Sequence, residues 1–203
     1  MNDLSIFFLS RQILALYCPP QIMRGFFVER EMSVIIGLCN PKSPTNVGGV
    51  MRAAGCYQAC AVRYSGERYD RAVKFQTDTK NIQSKIPLTA MVEITQDLPS
   101  EMKIVCVELA EGATPLPEFI HPEKALYVFG PEDGSIPQEI VNQASEVVYI
   151  PTIGCMNLAA SVNVLLYDRL AKSKLDIDHS QRILDSRDVK NRLKFKRADQ
   201  PAT

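Results

Sequence analysis

Short apolar runs rich in β-branched residues recur along the chain and constrain its fold more than any other feature. Five of them are SVIIGLC (33–39), ACAVRYS (59–65), KIVCVEL (103–109), ALYVFG (125–130) and EVVYIP (146–151). Strands that are apolar throughout, rather than at alternate positions, are typical of sheets covered on both faces by helices. The intervals between the runs leave room for such helices. We therefore predict an α/β fold with a parallel sheet flanked by helices.

Three segments with apolar residues at helical spacing lie between or after these strands. They are VGGVMRAAGCYQ (47–58), PQEIVNQA (137–144) and NLAASVNVLLYDRLAKSK (157–174). The last gathers basic residues at its end, where cations interact favourably with the helix dipole. Ligands of parallel α/β sheets bind beyond the carboxyl ends of the strands. The loops after Leu109, Phe129 and Ile150 are therefore the expected binding site.

The three loops share glycines that allow a ligand to approach backbone amides closely. They read ELAEGATPLPEF, FGPEDGSIP and IPTIGCMNL. Neither G-x-G-x-x-G nor G-x-x-x-x-G-K-[ST] occurs in the sequence, so the common cradles for dinucleotides and triphosphates are absent. The loops thus predict a site for a nucleoside without phosphates, read through backbone groups. Taken singly, each loop could equally be an ordinary tight turn.

Composition sets further bounds. The chain has 203 residues, 46% of them hydrophobic and 23% charged, which is enough to bury the core of one domain. The formal net charge is zero, so a polyanionic partner would have to be bound by local patches. The six cysteines lie mostly in apolar runs, which indicates reduced thiols and a cytoplasmic protein. Cys56 and Cys60 have no second pair of ligands nearby, so no metal site is predicted.

The two ends of the chain differ from its middle. LSIFFLSRQILALYC (4–18) is interrupted by polar residues and is shorter than the roughly 20 residues of a membrane span. The start MND lacks the positive charge of a signal peptide. We predict a poorly ordered N-terminal extension (1–31), one core domain (32–175) and a basic C-terminal tail (176–203). No membrane segment is expected, and Met32 is an alternative translation start.

Three motifs carry a family resemblance. NVGGVMRAAG, LYVFGPEDGSIP and VVYIPTIGCMNLAASVNVLLYD, in this order, resemble the three motifs of the SpoU/TrmH branch of the SPOUT RNA methyltransferases, over about Met32–Lys172. The resemblance implies the SPOUT fold with a C-terminal deep trefoil knot, a rare exception to unknotted chains. It also implies S-adenosylmethionine as cofactor, a homodimer, and methyl transfer to a ribose 2′-hydroxyl of RNA.

The resemblance assigns roles to individual residues. The motif positions are Asn46, Arg52, Glu132 and Asn157 for catalysis, and Leu109, Gly130, Ile150 and Met156 for the cofactor. The third motif departs from the family pattern, because Cys155 and Ala159 stand where serines are usual. A thiol donates more weakly than a hydroxyl and alanine does not donate at all, so hydrogen bonding there should be weaker. A knotted RNA-binding module without catalysis is therefore the alternative function.

The substrate follows from the same resemblance. The sequence most resembles the small wobble-position tRNA 2′-O-methyltransferases, in its MNL tripeptide and in its lack of an added RNA-binding domain. tRNA is therefore the favoured substrate, and rRNA is the alternative. The planar guanidinium of Arg52 suits a two-point clamp on a phosphate that also stabilises a developing alkoxide, rather than a general base. The alternative role for Arg52 is a surface ion pair with Glu132. His121 and His179 lie outside the motifs and are not predicted to act as bases.

Two basic stretches are candidates for RNA contact. The segment RYSGERYDRAVKFQTDTK (63–80) places cations among aromatic side chains, a combination that suits phosphate contact and base stacking. Its predicted RNA-binding residues are Arg63, Arg68, Arg71 and Lys74. The alternative is that this segment is a solvent-exposed loop and helix without a role in RNA binding. The tail RDVKNRLKFKR (187–197) is the second candidate, and we favour the first because it follows the strand leading from the helix of Arg52.

Overall fold

A computed structural model describes residues 33–73, 86–173 and 178–195. The chain divides into two compact units, with the division between Lys172 and Ser173. The predicted N-terminal extension (1–31) lies outside the described residues. The predicted boundary between the core domain and the tail falls within 174–177, which lie outside them too.

The first unit is built on a seven-stranded sheet in which every pair of neighbours is parallel. Its strands are β1 (Val34–Cys39), β2 (Ala61–Ser65), β3 (Leu88–Met91), β4 (Lys103–Val107), β5 (Thr114–Pro115), β6 (Ala125–Phe129) and β7 (Glu146–Tyr149). They are ordered β3-β2-β1-β6-β4-β7-β5. The parallel α/β prediction is confirmed. The two strands that the sequence pattern did not predict, β3 and β5, form the edges of the sheet.

Helices accompany these strands as the sequence pattern predicts. The first unit contains α1 (Pro44–Cys56), α2 (Arg68–Val73), α3 (Gln138–Val141) and α4 (Leu158–Lys172). The start of α1 is set locally, because the Ser43 side chain accepts a hydrogen bond from the Asn46 N–H (3.3 Å) and Pro44 occupies the first turn. Among the described residues, no helix has the length and apolar character needed to span a membrane.

The core lies on both faces of the sheet. On one face, residues such as Val50 of α1 and Leu165 of α4 pack against Ile36 and Tyr127 of the central strands. On the other face, a smaller cluster forms around Ile35, Leu126 and Ile94. This two-sided burial explains why the central strands are apolar at every position rather than at alternate ones.

The second unit contains α5 (His179–Ser186), which begins at an acidic cap. Asp178 Oδ1 accepts hydrogen bonds from the N–H groups of Ser180 and Gln181, both at 3.0 Å. The segment after α5 has no helix or strand as far as residue 195.

Candidate active site

The strand order reverses at the centre of the sheet, between β1 and β6. From this pair, β2 and β3 lie to one side and β4, β7 and β5 to the other. Leu38 of β1 is aligned with Phe129 of β6, so the segments that leave the two strands begin side by side. Such a reversal is the usual place for a ligand in an open α/β sheet.

A carboxylate joins the two segments that leave β1 and β6. Glu132 Oε2 accepts a hydrogen bond from the Lys42 N–H (2.8 Å), and Oε1 accepts from the Ser43 N–H (3.0 Å) and from Asn46 Nδ2 (3.0 Å). Partial burial by itself would raise the pKa of Glu132, but these hydrogen bonds outweigh it and hold the pKa below its ordinary value. Glu132 is therefore an ionised acceptor with both oxygens engaged.

A third segment, between β7 and α4, joins the same cluster. Asn157 Nδ2 lies 3.4 Å from Asn46 Oδ1, and Asn157 Oδ1 accepts a hydrogen bond from the Ala160 N–H (2.7 Å), which caps α4. The structure thus brings together Asn46, Glu132 and Asn157, one residue from each of the three motifs. They are separated by up to 111 positions in the chain.

A cleft of about 200 Å³ opens beside this cluster. It is lined by segments that follow β4, β6 and β7, and it includes all four residues predicted to bind a cofactor: Leu109, Gly130, Ile150 and Met156. Glu132 lines the same cleft. The three loops that the sequence singled out therefore meet at one cavity.

Glu108 is a cleft residue that the sequence reasoning missed. It follows β4 directly, and its carboxylate accepts hydrogen bonds from the N–H groups of Leu109 and Ile136, each at 3.0 Å. A Cβ added at Gly130 would lie 3.1 Å from the Ile136 nitrogen and 3.2 Å from Glu108 Oε2. A side chain at position 130 would therefore crowd the wall of the cleft and require Ile136 or Glu108 to move by a few tenths of an ångström. The signal available in the sequence was an acidic residue at the carboxyl end of a predicted strand, beside Leu109.

Arg52 stands apart from the cluster. It is exposed on α1, and its side chain makes no hydrogen bond or ion pair with any residue that the structure describes. The carboxylate of Glu132, its alternative partner, is engaged by Asn46 and by the backbone of residues 42 and 43. The described contacts thus give no support to an Arg52–Glu132 ion pair.

The prediction that Arg63 contacts RNA is wrong. Arg63 lies on β2 and is only 1% exposed, with its guanidinium donating to the carbonyl oxygens of Ile94 (3.1 Å) and Gln96 (2.9 Å). Burial of a guanidinium needs such acceptors, and the loop after β3 supplies them. Arg63 therefore anchors this loop to the sheet.

The other residues predicted to bind RNA are partly engaged elsewhere. Arg68 makes a two-point ion pair with Asp133 (2.8 and 3.0 Å), and hydrogen bonds from Arg68 lower the pKa of that carboxyl. Arg71 of α2 pairs on the surface with Glu67, which directly precedes this helix. Lys74 lies outside the described residues. The charge of Arg68 and Arg71 is thus balanced within the chain.

The two departures from the family motif fall in different surroundings. Cys155 is exposed and lines the cleft, whereas Ala159 packs under α1, where a Cβ added at Gly49 would lie only 2.7 Å from the Ala159 Cβ. Ser161 also lines the cleft, and its hydroxyl donates to the Asn157 carbonyl (3.1 Å). A serine hydroxyl is therefore present at this wall, two residues beyond the expected position.

A half-buried polar network surrounds His121. Its Nδ1 lies 2.7 Å from the Tyr127 hydroxyl and its Nε2 lies 2.9 Å from Asp168 Oδ2. Arg169 donates to the same hydroxyl (2.8 Å), and Lys172 pairs with Asp168 (2.7 Å). Burial lowers the pKa of His121, and the hydrogen bond to Asp168 offsets this only in part. None of these residues lines the cleft.

No group of three or more histidine, cysteine, aspartate or glutamate side chains in the described ranges is arranged to hold a metal ion. Cys39, Cys56, Cys106 and Cys155 are thiols outside any disulfide.

The parallel sheet flanked by helices matches the fold of solved SpoU methyltransferases, which is the SPOUT fold. The model of the SpoU rRNA methylase family matches residues 33–167. The chain belongs to this family. A search of curated proteins found no match.

Solved structures with the same fold include three that are informative. AviRb of Streptomyces viridochromogenes, a SpoU methyltransferase in complex with AdoMet, is 18% identical with a TM-score of 0.55, over 71% of this chain and 59% of that protein. An AdoMet-bound rRNA methyltransferase from Sinorhizobium meliloti is 19% identical with a TM-score of 0.56, over 71% and 58% of the two chains. The chain thus spans less than two thirds of either protein.

A third structure is similar in length to the matched region. It comes from work on 2-OH methylation of C/U34 on tRNA and is 21% identical, with a TM-score of 0.56, over 68% of this chain and 95% of that protein. At these identities the three structures establish the fold that this chain shares with them.

Proposed function

We propose that this chain transfers a methyl group from S-adenosylmethionine to a ribose 2′-hydroxyl of RNA, with tRNA as the favoured substrate. The observation that carries the proposal is the meeting of Asn46, Glu132 and Asn157 beside a cleft at the reversal of strand order. The tRNA preference rests on the MNL resemblance and on the similarity to the structure concerned with tRNA. The family description names rRNA, which is the alternative substrate.

S-adenosylmethionine is the cofactor, and it supplies an electrophilic methyl group. The residues that line the cleft fit a nucleoside held through backbone groups, because Gly130 leaves the wall open where any larger residue would meet the Ile136 backbone. Leu109, Gly130, Ile150 and Met156 would hold the cofactor.

Arg52 is the catalytic residue in this proposal. A guanidinium acts as a cation and not as a proton acceptor. Its exposure, with no partner among the described residues, leaves its fork of donors available for a phosphate and for the oxygen that becomes negative during transfer.

Glu132, Asn46 and Asn157 are positioning residues rather than proton acceptors. The lowered pKa of Glu132 makes it a weak base, and its two oxygens already accept three hydrogen bonds. Their effect is to hold the turn before α1 against the loops after β6 and β7. The start of the helix that carries Arg52 is thereby aligned with the cleft.

The trefoil knot, the homodimer and the cytoplasmic location belong to the same proposal. Tyr167 of α4 is 62% exposed and Val164 is 37% exposed, which leaves apolar surface on a helix that packs beside α1. We propose that a second copy of the chain covers this surface. A monomeric mass by sedimentation at micromolar concentration would contradict the dimer.

The deciding experiment measures methyl transfer to RNA and identifies the methylated nucleoside. Purified protein is incubated with tritiated S-adenosylmethionine and either bulk tRNA or rRNA, and the labelled RNA is digested for nucleoside mass spectrometry. We expect a 2′-O-methyl nucleoside in tRNA. Label confined to rRNA would select the alternative substrate, and RNA binding without any transfer would select the non-catalytic module.

A further inference from the structure

We propose that residues 187–195, which follow α5, are the principal RNA-docking element of this chain, in place of the 63–80 segment. The inference rests on the proposed RNA substrate. It concerns where the RNA is held and not which atom is methylated. Phosphate contacts dominate the affinity of proteins for nucleic acids. The segment with the most positive charge that is not paired with an acidic residue should therefore bind the RNA.

The charge of the chain is distributed unevenly. Of its 23 basic and 23 acidic residues, the stretch 187–197 contains six basic and one acidic. The rest of the chain therefore has 17 basic and 22 acidic residues, a net charge of −5 at neutral pH. A polyanion approaching the chain is thus attracted chiefly by this stretch.

The competing segment loses much of its positive charge in the folded chain. Arg63 is buried in the first unit and cannot reach a phosphate. Arg68 is held by both oxygens of Asp133, and Arg71 by Glu67. Phosphate contact by either of the last two would require an existing ion pair to be given up.

The basic side chains of the proposed docking element are exposed to solvent. Arg187, Lys190, Arg192 and Lys194 are all exposed, and none of the four forms an ion pair with a residue in the described ranges. Phe195, directly after Lys194, is 89% exposed. An exposed ring beside cations provides a stacking surface for an unpaired base together with phosphate contacts.

The test measures RNA affinity of the full-length protein as a function of salt, with fluorescent bulk tRNA as the probe. The docking variant is Lys190→Gln with Lys194→Gln, and the competing variant is Arg68→Gln with Arg71→Gln. Each lost phosphate contact reduces the slope of log K against log salt by about 0.7 to 0.9. We expect the magnitude of this slope to fall by about 1.5 in the docking variant and to stay at the wild-type value in the competing variant.

The matched control is Lys103→Gln with Lys124→Gln, which removes the same charge at the amino-terminal ends of β4 and β6. An equal loss in this control would mean that only net charge matters, and it would overturn the proposal. An unchanged slope in the docking variant, or wild-type protein that does not bind tRNA, would overturn it too.

A second pair of variants tests stacking. Phe195→Ala should weaken binding about fivefold or more at high salt, on the scale of one stacked base, whereas Val189→Ala, equally exposed, should not. Equal effects would contradict a stacking role. If the wild type binds tRNA through this element but transfers no methyl group to tRNA or rRNA, the docking inference stands and the proposed function fails.

Discussion

Asn46 donates from Nδ2 to Glu132 Oε1 at 3.0 Å, across 86 positions of the chain. This hydrogen bond joins the helix after β1 to the loop after β6, on the two sides of the reversal in strand order. Because Glu132 also accepts from the Lys42 and Ser43 N–H groups, one side chain holds the whole turn that precedes Arg52.

Glu132→Gln should lower both stability and methyl transfer. An amide in place of the carboxylate cannot accept at both positions, so at least one charge-assisted hydrogen bond is lost, with a cost of roughly 1–2 kcal/mol. Asp133→Asn is the control, because its ion pairs with Lys42 and Arg68 lie on the surface, where solvent screens them and they contribute little to stability. Chemical denaturation and single-turnover transfer check both variants. Equal effects in the two would contradict a special role for Glu132.

S-adenosylmethionine should raise the melting temperature of the wild type, because a ligand that binds only the folded state stabilises it by about 2.7 kcal/mol at a hundred times its Kd. Gly130→Ala should reduce the shift, since the new methyl group would lie 3.1 Å from the Ile136 nitrogen and displace the wall of the cleft. Gly55→Ala, where an added Cβ meets nothing within 4 Å, should keep it. Thermal shift with millimolar ligand measures all three proteins, and a full shift in Gly130→Ala would place the nucleoside elsewhere.

Arg52→Lys should reduce the single-turnover rate by about 100-fold, the scale for loss of one transition-state donor, because an ammonium lacks the planar two-point geometry. The melting temperature and cofactor affinity should stay near wild type, since Arg52 is exposed and has no partner in the described part of the chain. Arg68→Lys is the matched control and should retain the rate. A near-normal rate for Arg52→Ala would rule out the catalytic assignment.

Acid should destabilise the fold partly through His121. Burial lowers the pKa of folded His121 below its usual value of 6.5, so the unfolded chain takes up this proton first as the pH falls. The contribution of His121 to the free energy of unfolding is therefore fully present above its usual pKa. It is lost as the pH falls towards the lower pKa that His121 has in the folded chain. We expect His121→Gln to have a smaller difference in unfolding free energy between about pH 8 and about pH 5.5 than wild type. His179→Gln, which removes an exposed histidine, is the control. An unchanged difference in His121→Gln would refute the buried-histidine explanation.

Two adjacent glycines of α1 should respond in opposite directions to alanine. Gly48→Ala should stabilise by about 0.5–1 kcal/mol, because an added Cβ meets nothing within 4 Å and alanine favours helix. Gly49→Ala should destabilise by about 1–3 kcal/mol, because its Cβ would lie 2.7 Å from that of Ala159 and force α1 away from α4. Urea unfolding of the two variants provides the comparison, and equal midpoints would contradict this packing.

Local sequence patterns determined the elements and the location of the site. Apolar runs predict the strands from β1 to β7 except the two edge strands, which are short or half exposed and carry little pattern. The glycine loops after the strands predict the cleft, because the carboxyl ends of parallel strands share one edge of a sheet. Gly130 and Met156, which the family resemblance assigned to the cofactor, lie in these loops and line the cleft.

Only the tertiary structure decided which side chains are partners. Arg63 belongs to a basic, aromatic stretch, yet β2 lies between β1 and β3 and a loop covers the face that Arg63 occupies, so its charge is buried. Glu108 and Glu132 are both acids after a strand, but their separate partners, Ile136 and Asn46, depend on the strand order. A sequence pattern records the local environment of each residue. Contacts between distant residues are set by the order in which strands assemble, which no local pattern contains.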